Sequence, residues 1–306
     1  MAARTAWAAV VAVFVLMTVG NVVSATGSGL ACPDWPLCHG SVIPPLRADV
    51  LIEYSHRLSA LAATVLIVAT TGLALARTRV PGLRRVAWLL PALLAVQIAL
   101  GGITVLLKLP DLISTAHLVN ALLILGGLIL LAMGLGPSVE AEPSAARDKV
   151  ARLARVGLVA LLAQLALGGY VRHSGAGLAC PDFPLCSGDV FPGQWLAAVH
   201  WVHRWLGVLL LGLFVHLAVV GARAARAAPG LSVATRLLAA LAVIQVSLGV
   251  ATVLLQLAPV VRGTHAAVGY ALWATLVWVS VRAGCWRATL APVSRPSPAR
   301  EAIHAP

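Results

Sequence analysis

Four of the nine histidines in this chain fall at repeating positions. His117 and His265 are 148 residues apart, and His56 and His203 are 147 apart. Each sits near one end of a long apolar segment. Two inward-facing imidazoles from two helices at one depth can hold the iron of a planar haem from both faces. Ionisable groups inside a membrane are costly without a partner, so they are functional candidates by default. The competing reading has each imidazole bonded to a neighbouring backbone carbonyl, and it explains one histidine better than a duplicated set of four. Iron ligation by His56 with His117, and by His203 with His265, is therefore the expectation.

Other chemically able residues cluster around these four. Arg57 and Arg204 directly follow His56 and His203, where they are candidate partners for haem propionates through charge-assisted bonds or simple snorkelling cations. Glu53 lies one helical turn before His56 and shares its face. It is the candidate proton acceptor. His200 stands at the corresponding place in the second copy, as an alternative ligand to His203 or a proton relay. Gln97 and Gln245, again 148 apart, read as interhelical hydrogen-bonding groups, and Gly20, Gly101, Gly102, Gly168 and Gly169 as sites of close helix packing.

The cysteines form two pairs, Cys32 with Cys38 and Cys180 with Cys186. They lie in twelve-residue stretches, 27–38 and 175–186, that are identical at ten positions. A disulfide closing each short loop is the leading reading, either as a staple or as a redox-active pair. Zinc, with Asp34 and His39 as further ligands, is the alternative, and it is weaker in the second copy, where Ser187 replaces His39. Cys285 has no counterpart and is expected to be inert. His216 reads as structural.

Positioning these groups requires membrane-spanning helices. The 306 residues are 60% hydrophobic and only 10% charged, against about 25% charged in soluble domains. Eight apolar runs, at about 5–23, 51–76, 86–107, 114–136, 153–171, 198–220, 235–256 and 261–284, approach or exceed the roughly 20 residues that cross a bilayer. The first is read as a retained helix. The formal net charge of +12 is topological: 16 of the 22 Lys and Arg fall at one set of segment ends. The positive-inside rule makes those ends cytoplasmic, places both termini inside and the cysteine loops outside, and removes the case for nucleic acid. The expected fold is an all-α polytopic membrane protein, eight transmembrane helices forming two tandem pseudo-symmetric four-helix bundles. Its expected parts are an N-terminal half at 1–136, a cytoplasmic linker at 137–152, a C-terminal half at 153–284 and a disordered tail at 285–306.

The combination of eight helices in two halves, an outer cysteine pair, Glu53-Tyr54-Ser55-His56-Arg57, and His117, His203 and His265 resembles the haem A synthase family over roughly residues 5–284. The resemblance implies oxidation of a ring methyl of haem O to the formyl group of haem A, in the cell membrane. It implies that His56 and His117 bracket the substrate haem, with Glu53 as the catalytic carboxylate, and that His203 and His265 hold a haem b cofactor. Haem O from a haem O synthase, an electron-transfer partner and the lipid bilayer are the implied partners, with homo-oligomerisation open. A duplicated cytochrome b electron carrier and a haem delivery protein are the rival readings. The carrier requires chemically equivalent halves, which Glu53 against His200 opposes.

Overall fold

The structure is a computed structural model in which residues 1–137, 142–226, 228 and 230–290 are described. Eight long helices follow one another: α1 (Ala2–Ala25), α2 (Ala48–Arg77), α3 (Pro81–Leu106), α4 (Asp111–Gly134), α5 (Ala145–His173), α6 (Trp195–Arg223), α7 (Leu231–Leu254) and α8 (Pro259–Ala283). A 3-10 turn at Ala176–Leu178 and a short α9 (Arg287–Leu290) complete the described elements. All eight long helices are long and apolar enough to cross a membrane, as the apolar runs predict. A helix satisfies its own backbone hydrogen bonds, which lipid cannot do. Among the described residues the other regular pairing consists of isolated bridges, Cys38 with Ser41 and Cys186 with Asp189.

Proline sets several boundaries. Pro81 and Pro259 open α3 and α8, and Pro110 precedes α4, where a missing N–H costs nothing. The α3–α4 and α7–α8 turns are tight, with Lys108 and Leu109 in one and Gln256 and Leu257 in the other at left-handed φ of 58°, 63°, 50° and 60°. The order of long helices and loops is the same in α1–α4 and α5–α8, which is compatible with two repeated halves.

Two segments differ from the sequence expectation. Helix α5 begins eight residues before the apolar run at 153, because Arg147, Asp148, Lys149 and Arg152 continue it past its lipid-facing part. The interhelical linker is correspondingly shorter than 137–152, and positions 138–141 of it lie outside the described residues. The tail is ordered at its start: Trp286 Nε1 donates to Ser280 Oγ at 2.8 Å, Leu290 packs on the core, and α9 rests on α3. Gly82 permits that approach, since a Cβ there would fall 2.0 Å from the Thr289 carbonyl oxygen. Positions 291–306 of the expected disordered tail lie outside the described residues.

Helices α4 and α8 are central. In their most apolar windows 61% and 56% of residues are buried, against 17–28% in the other six. Those six helices turn side chains such as Val11, Leu61 and Val159 outward, a surface suited to lipid and costly in water. Helix α4 packs on α5 and α8, and α1 also reaches α8. Trp273 Nε1 on α8 donates to the Leu122 carbonyl of α4 at 2.7 Å. The centre of the molecule is thus built on the two helices that carry His117 and His265.

Candidate haem sites

The cysteine loops cap one end of the bundle. Cys32–Cys38 and Cys180–Cys186 are disulfides, so the thiolates that zinc would need are already used. In the first loop Asp34 accepts from the backbone N–H of His39 at 2.6 Å and of Gly40 at 2.7 Å. Its carboxyl is held below the usual Asp range, chiefly by the Gly40 N–H. Asp182 accepts from Ser187 N–H at 2.7 Å and Gly188 N–H at 3.3 Å, and is lowered chiefly by Ser187. His39 turns its Nε2 to the Ala31 carbonyl at 2.9 Å. Among the described residues there is no group of three His, Cys, Asp or Glu suited to a metal ion. Far from these loops, the Cys285 thiol donates to the Ala151 carbonyl at 3.3 Å, and burial pushes it up from its ordinary value, which suits an unreactive thiol.

Each loop is tied to the helix that follows it by one arginine and one residue a turn earlier. Arg57 donates to the carbonyls of Asp34 at 2.9 Å, Leu37 at 2.5 Å and Cys32 at 3.0 Å, and to Glu53 Oε1 at 2.7 Å. Glu53 is 3% exposed, and its other oxygen accepts the Cys32 N–H at 2.7 Å. In the second copy Arg204 donates to the carbonyls of Asp182 at 2.7 Å, Leu185 at 3.1 Å and Cys180. Its Nε donates to His200 Nε2 at 3.2 Å, and His200 Nδ1 accepts the Cys180 N–H at 3.4 Å. Glu53 and His200 therefore fill the same structural place, accepting from a cysteine N–H and from the arginine. What differs is that one carries a carboxylate.

The four repeated histidines each lie against a glycine. A Cβ at Gly20 would come 2.7 Å from His56 Cε1, and one at Gly168 would come 2.7 Å from His203 Cε1. Gly101 and Gly249 stand in the same relation to His117 and His265, at 3.2 Å. Any larger side chain would push each imidazole out of place. The His203 and His265 rings meet edge-on, with centroids 6.5 Å apart and planes at 78°. Two imidazoles sharing one metal atom through metal–nitrogen bonds of about 2 Å have ring centres roughly 6 Å apart, so this pair fits a single iron.

Polar support differs between the pairs. The Gln97 amide nitrogen is 3.2 Å from His117 Nε2, and Asn120 Nδ2 donates to Gln97 Oε1 at 2.7 Å and to the Leu93 carbonyl at 2.9 Å. The Gln245 amide nitrogen is 3.4 Å from His265 Nε2, and His265 Nδ1 is 3.2 Å from the Gln245 carbonyl. The position matching Asn120 is Val268, which can hold no glutamine in place. The Nδ1 atoms of His56, His117 and His203 are buried with no hydrogen-bond partner.

A cavity of about 310 Å³ opens beside the second pair, lined by His203, His265, Gly168, Gly249 and apolar residues of α5–α8. Its volume is within the range of small-molecule sites. A close histidine pair, glycine clearance for each ring and a cavity with largely apolar walls together fit a planar iron tetrapyrrole. His200 lines the cavity too, but its ring is spent on Cys180 and Arg204, and it is His203 that meets His265.

The sequence reading saw Gly20, Gly101 and Gly168 only as packing residues and did not single out Gly249. The signal was available: Gly20 and Gly168, and Gly101 and Gly249, keep the 148-residue offset of His117 and His265. Arg172 and Arg262 also line the cavity, and neither has a basic counterpart in the first half.

The chain matches the COX15-CtaA family, described as cytochrome oxidase assembly protein, over residues 3–51 and 46–277. It is 32% identical over 273 residues to a heme A synthase of Shouchella clausii, covering 87% of this chain and 91% of that protein. It is 30% identical over 223 residues to one of Bacillus licheniformis, covering 70% and 73% of the two chains, and 26% identical over 312 residues to one of Shewanella oneidensis, covering 88% and 93%. With the family match running through all eight spans, the chain belongs to the COX15-CtaA family of haem A synthases.

Proposed function

We propose that this chain is a membrane oxidoreductase of haem A formation that converts a ring methyl of haem O to a formyl group. The observation that carries this reading is the duplicated glycine-cleared histidine pair, present in a chain of this family. In the proposal the N-terminal half, residues 1–136, binds haem O between His56 and His117. The C-terminal half, residues 153–284, binds haem b between His203 and His265. Haem b, when bound there, would supply reversible one-electron chemistry.

The protein's own groups divide the remaining work. Gly20 and Gly101 let the two substrate-side rings approach, and Asn120 holds Gln97 against His117. With water as the oxygen source, turning a ring methyl into a formyl releases protons, and electrons that pass to the electron-transfer partner, so this route needs a proton acceptor beside the substrate. Glu53 is the acidic side chain found buried among the described residues, and it lies one turn from His56 on the same helix face. In the proposal it receives a proton while Arg57 keeps it in position. The disulfide loops close the outer end of each half and restrict water. The charge distribution supports a cell-membrane orientation with both termini cytoplasmic and the loops extracytoplasmic.

The test is extraction and chromatography of haems from membranes in which this chain is expressed with a supply of haem O. Haem A, or its hydroxylated precursor, is the expected product. Retained haem with neither of these would overturn the synthase reading in favour of an electron carrier.

A further inference from the structure

We propose that Arg172 and Arg262 form the carboxylate clamp of the C-terminal pocket, binding the two propionates of the tetrapyrrole held there. This rests on the reading of that pocket as a haem site.

Both arginines line the cavity that His203 and His265 line. Arg262 is three residues before His265 on α8, and Arg172 is four residues after Gly168 on α5, so each sits one helical turn toward the cysteine-loop end on the face of its neighbour. Gly168 is the residue that clears His203. The two guanidinium groups therefore stand one turn above the histidine pair, on two of the helices that wall the pocket. There they would hold the carboxylates of a macrocycle bound with its acidic edge toward the cysteine-loop end.

Their existing contacts leave the charges uncompensated. Arg172 donates to Asn21 Oδ1 and, at 3.0 Å, to the Asn21 carbonyl. Arg262 donates to the Ala25 carbonyl at 2.8 Å. All these acceptors are neutral. The Nε of each is buried with no partner. The ion pairs among the described residues are Arg47–Asp49 and Arg57–Glu53, so neither cavity arginine has a carboxylate. The two cations are also near enough to act on each other. Two like charges in a largely apolar wall are expensive unless an anion joins them, and a dicarboxylate answers both. Arg204 is less free to do this, because its donors are spent on loop carbonyls and His200.

The first half lacks the device. At the same register stand Ser24 and Ser114, and Ser114 Oγ is buried without a partner. A hydroxyl pair offers neutral bonds where the second half offers charge. The second pocket is thus suited to keeping its tetrapyrrole, and the first to exchanging it.

The test uses the purified full-length chain, produced without haem and titrated with haemin and with haemin dimethyl ester. The readout is the low-spin spectrum that His203→Ala removes. The wild type is expected to prefer the free acid by about 10- to 100-fold. Arg172→Gln with Arg262→Gln should bind both forms alike, at the wild-type affinity for the ester, which shows the pocket intact. Equal binding of acid and ester by the wild type, or a preference that survives in the double variant, overturns the clamp. Loss of ester binding in the double variant and in both single variants also overturns it, because the arginines would then be structural. A low-spin signal unchanged by His203→Ala is a separate failure, that of the haem reading itself.

Discussion

The two halves share a frame and differ in what they place on it. Each has a disulfide loop, an arginine that binds that loop's carbonyls, and two histidines laid against glycines. At matched positions the first half has Glu53, Ser24, Ser114 and Asn120, and the second has His200, Arg172, Arg262 and Val268. The first half thus has a buried carboxylate beside one histidine and a neutral outer rim. The second has a cationic rim and no carboxylate beside its histidine pair. The loops differ in the same direction. Trp35 packs on Gly102, where a Cβ would come 3.2 Å from its ring, while the matching Phe183 lines the open cavity with Arg204 at 6.0 Å from its ring centre. On the proposed reading the two histidine pairs are similar clamps, and the residues around them separate a site for chemistry from a site for retention.

The sharpest way to break this comparison is to remove the ligands one half at a time. His203→Ala or His265→Ala is expected to abolish the resident low-spin haem signal of the purified protein. His56→Ala or His117→Ala should leave that signal in place and abolish conversion of haem O. If both pairs of variants behave alike, the two halves are not divided as proposed.

The next contrast concerns the residues one turn before the ligands. Glu53→Gln keeps an acceptor for the Cys32 N–H and loses the charge. Conversion should fall by about 10²- to 10⁴-fold, the usual worth of a positioned base, with haem content unchanged. His200→Gln should change conversion little. Product analysis of the two variants side by side decides between a catalytic carboxylate and one that merely ties the loop.

Glycine clearance gives a graded effect within one half. Gly168→Ala puts a methyl 2.7 Å from His203, and Gly249→Ala puts one 3.2 Å from His265. Overpacking of the first kind costs about 1–3 kcal/mol, or roughly 5- to 150-fold in haem affinity. The second should cost less than tenfold, because a small ring shift relieves it. Haem titration of both variants should show this order, and its reversal would remove the glycines from the site.

Much of this organisation was legible in the sequence because periodic and duplicated features are one-dimensional. The eight spans followed from apolar length; His117 and His265, the cysteine pairs and the glutamines followed from one offset of 148, and His56 and His203 from an offset one residue shorter. Other features were hidden for physical reasons. Arg57 is adjacent to His56 in sequence, yet its donors reach carbonyls 20, 23 and 25 residues earlier. A loop that folds back brings no periodicity with it. Glu53 and His200 looked like a chemical divergence alone, because the shared cysteine N–H that both accept appears only in three dimensions. Arg172 and Arg262 were masked by their own type: cations near helix ends are common, and only their place in the cavity wall separates them from snorkelling ones. The ordered start of the tail was missed because its anchors, Trp286 and Leu290, are too few to form a pattern.

The smallest effect compares the two loops. Asp34 and Asp182 each accept two backbone N–H bonds as carboxylates, and both are held below the ordinary Asp value of 3.8. A group lowered in the folded state contributes stability above its unfolded value, and that contribution is lost as pH falls through the folded value. The loops should therefore stay closed through neutral and mildly acid pH and loosen only below about 3.8. Reduction of each disulfide by a phosphine, which remains active in acid, followed by thiol mass labelling, measures this. Asp34→Asn should speed reduction of Cys32–Cys38 already at pH 7 and remove the acid step, because the amide must turn an N–H toward one of the two backbone donors. Asp182→Asn should do the same to Cys180–Cys186 more weakly, since its second bond, to Gly188, is 3.3 Å against 2.7 Å for Gly40. Equal rates in both variants and the wild type would mean that the arginine clamps alone hold the loops.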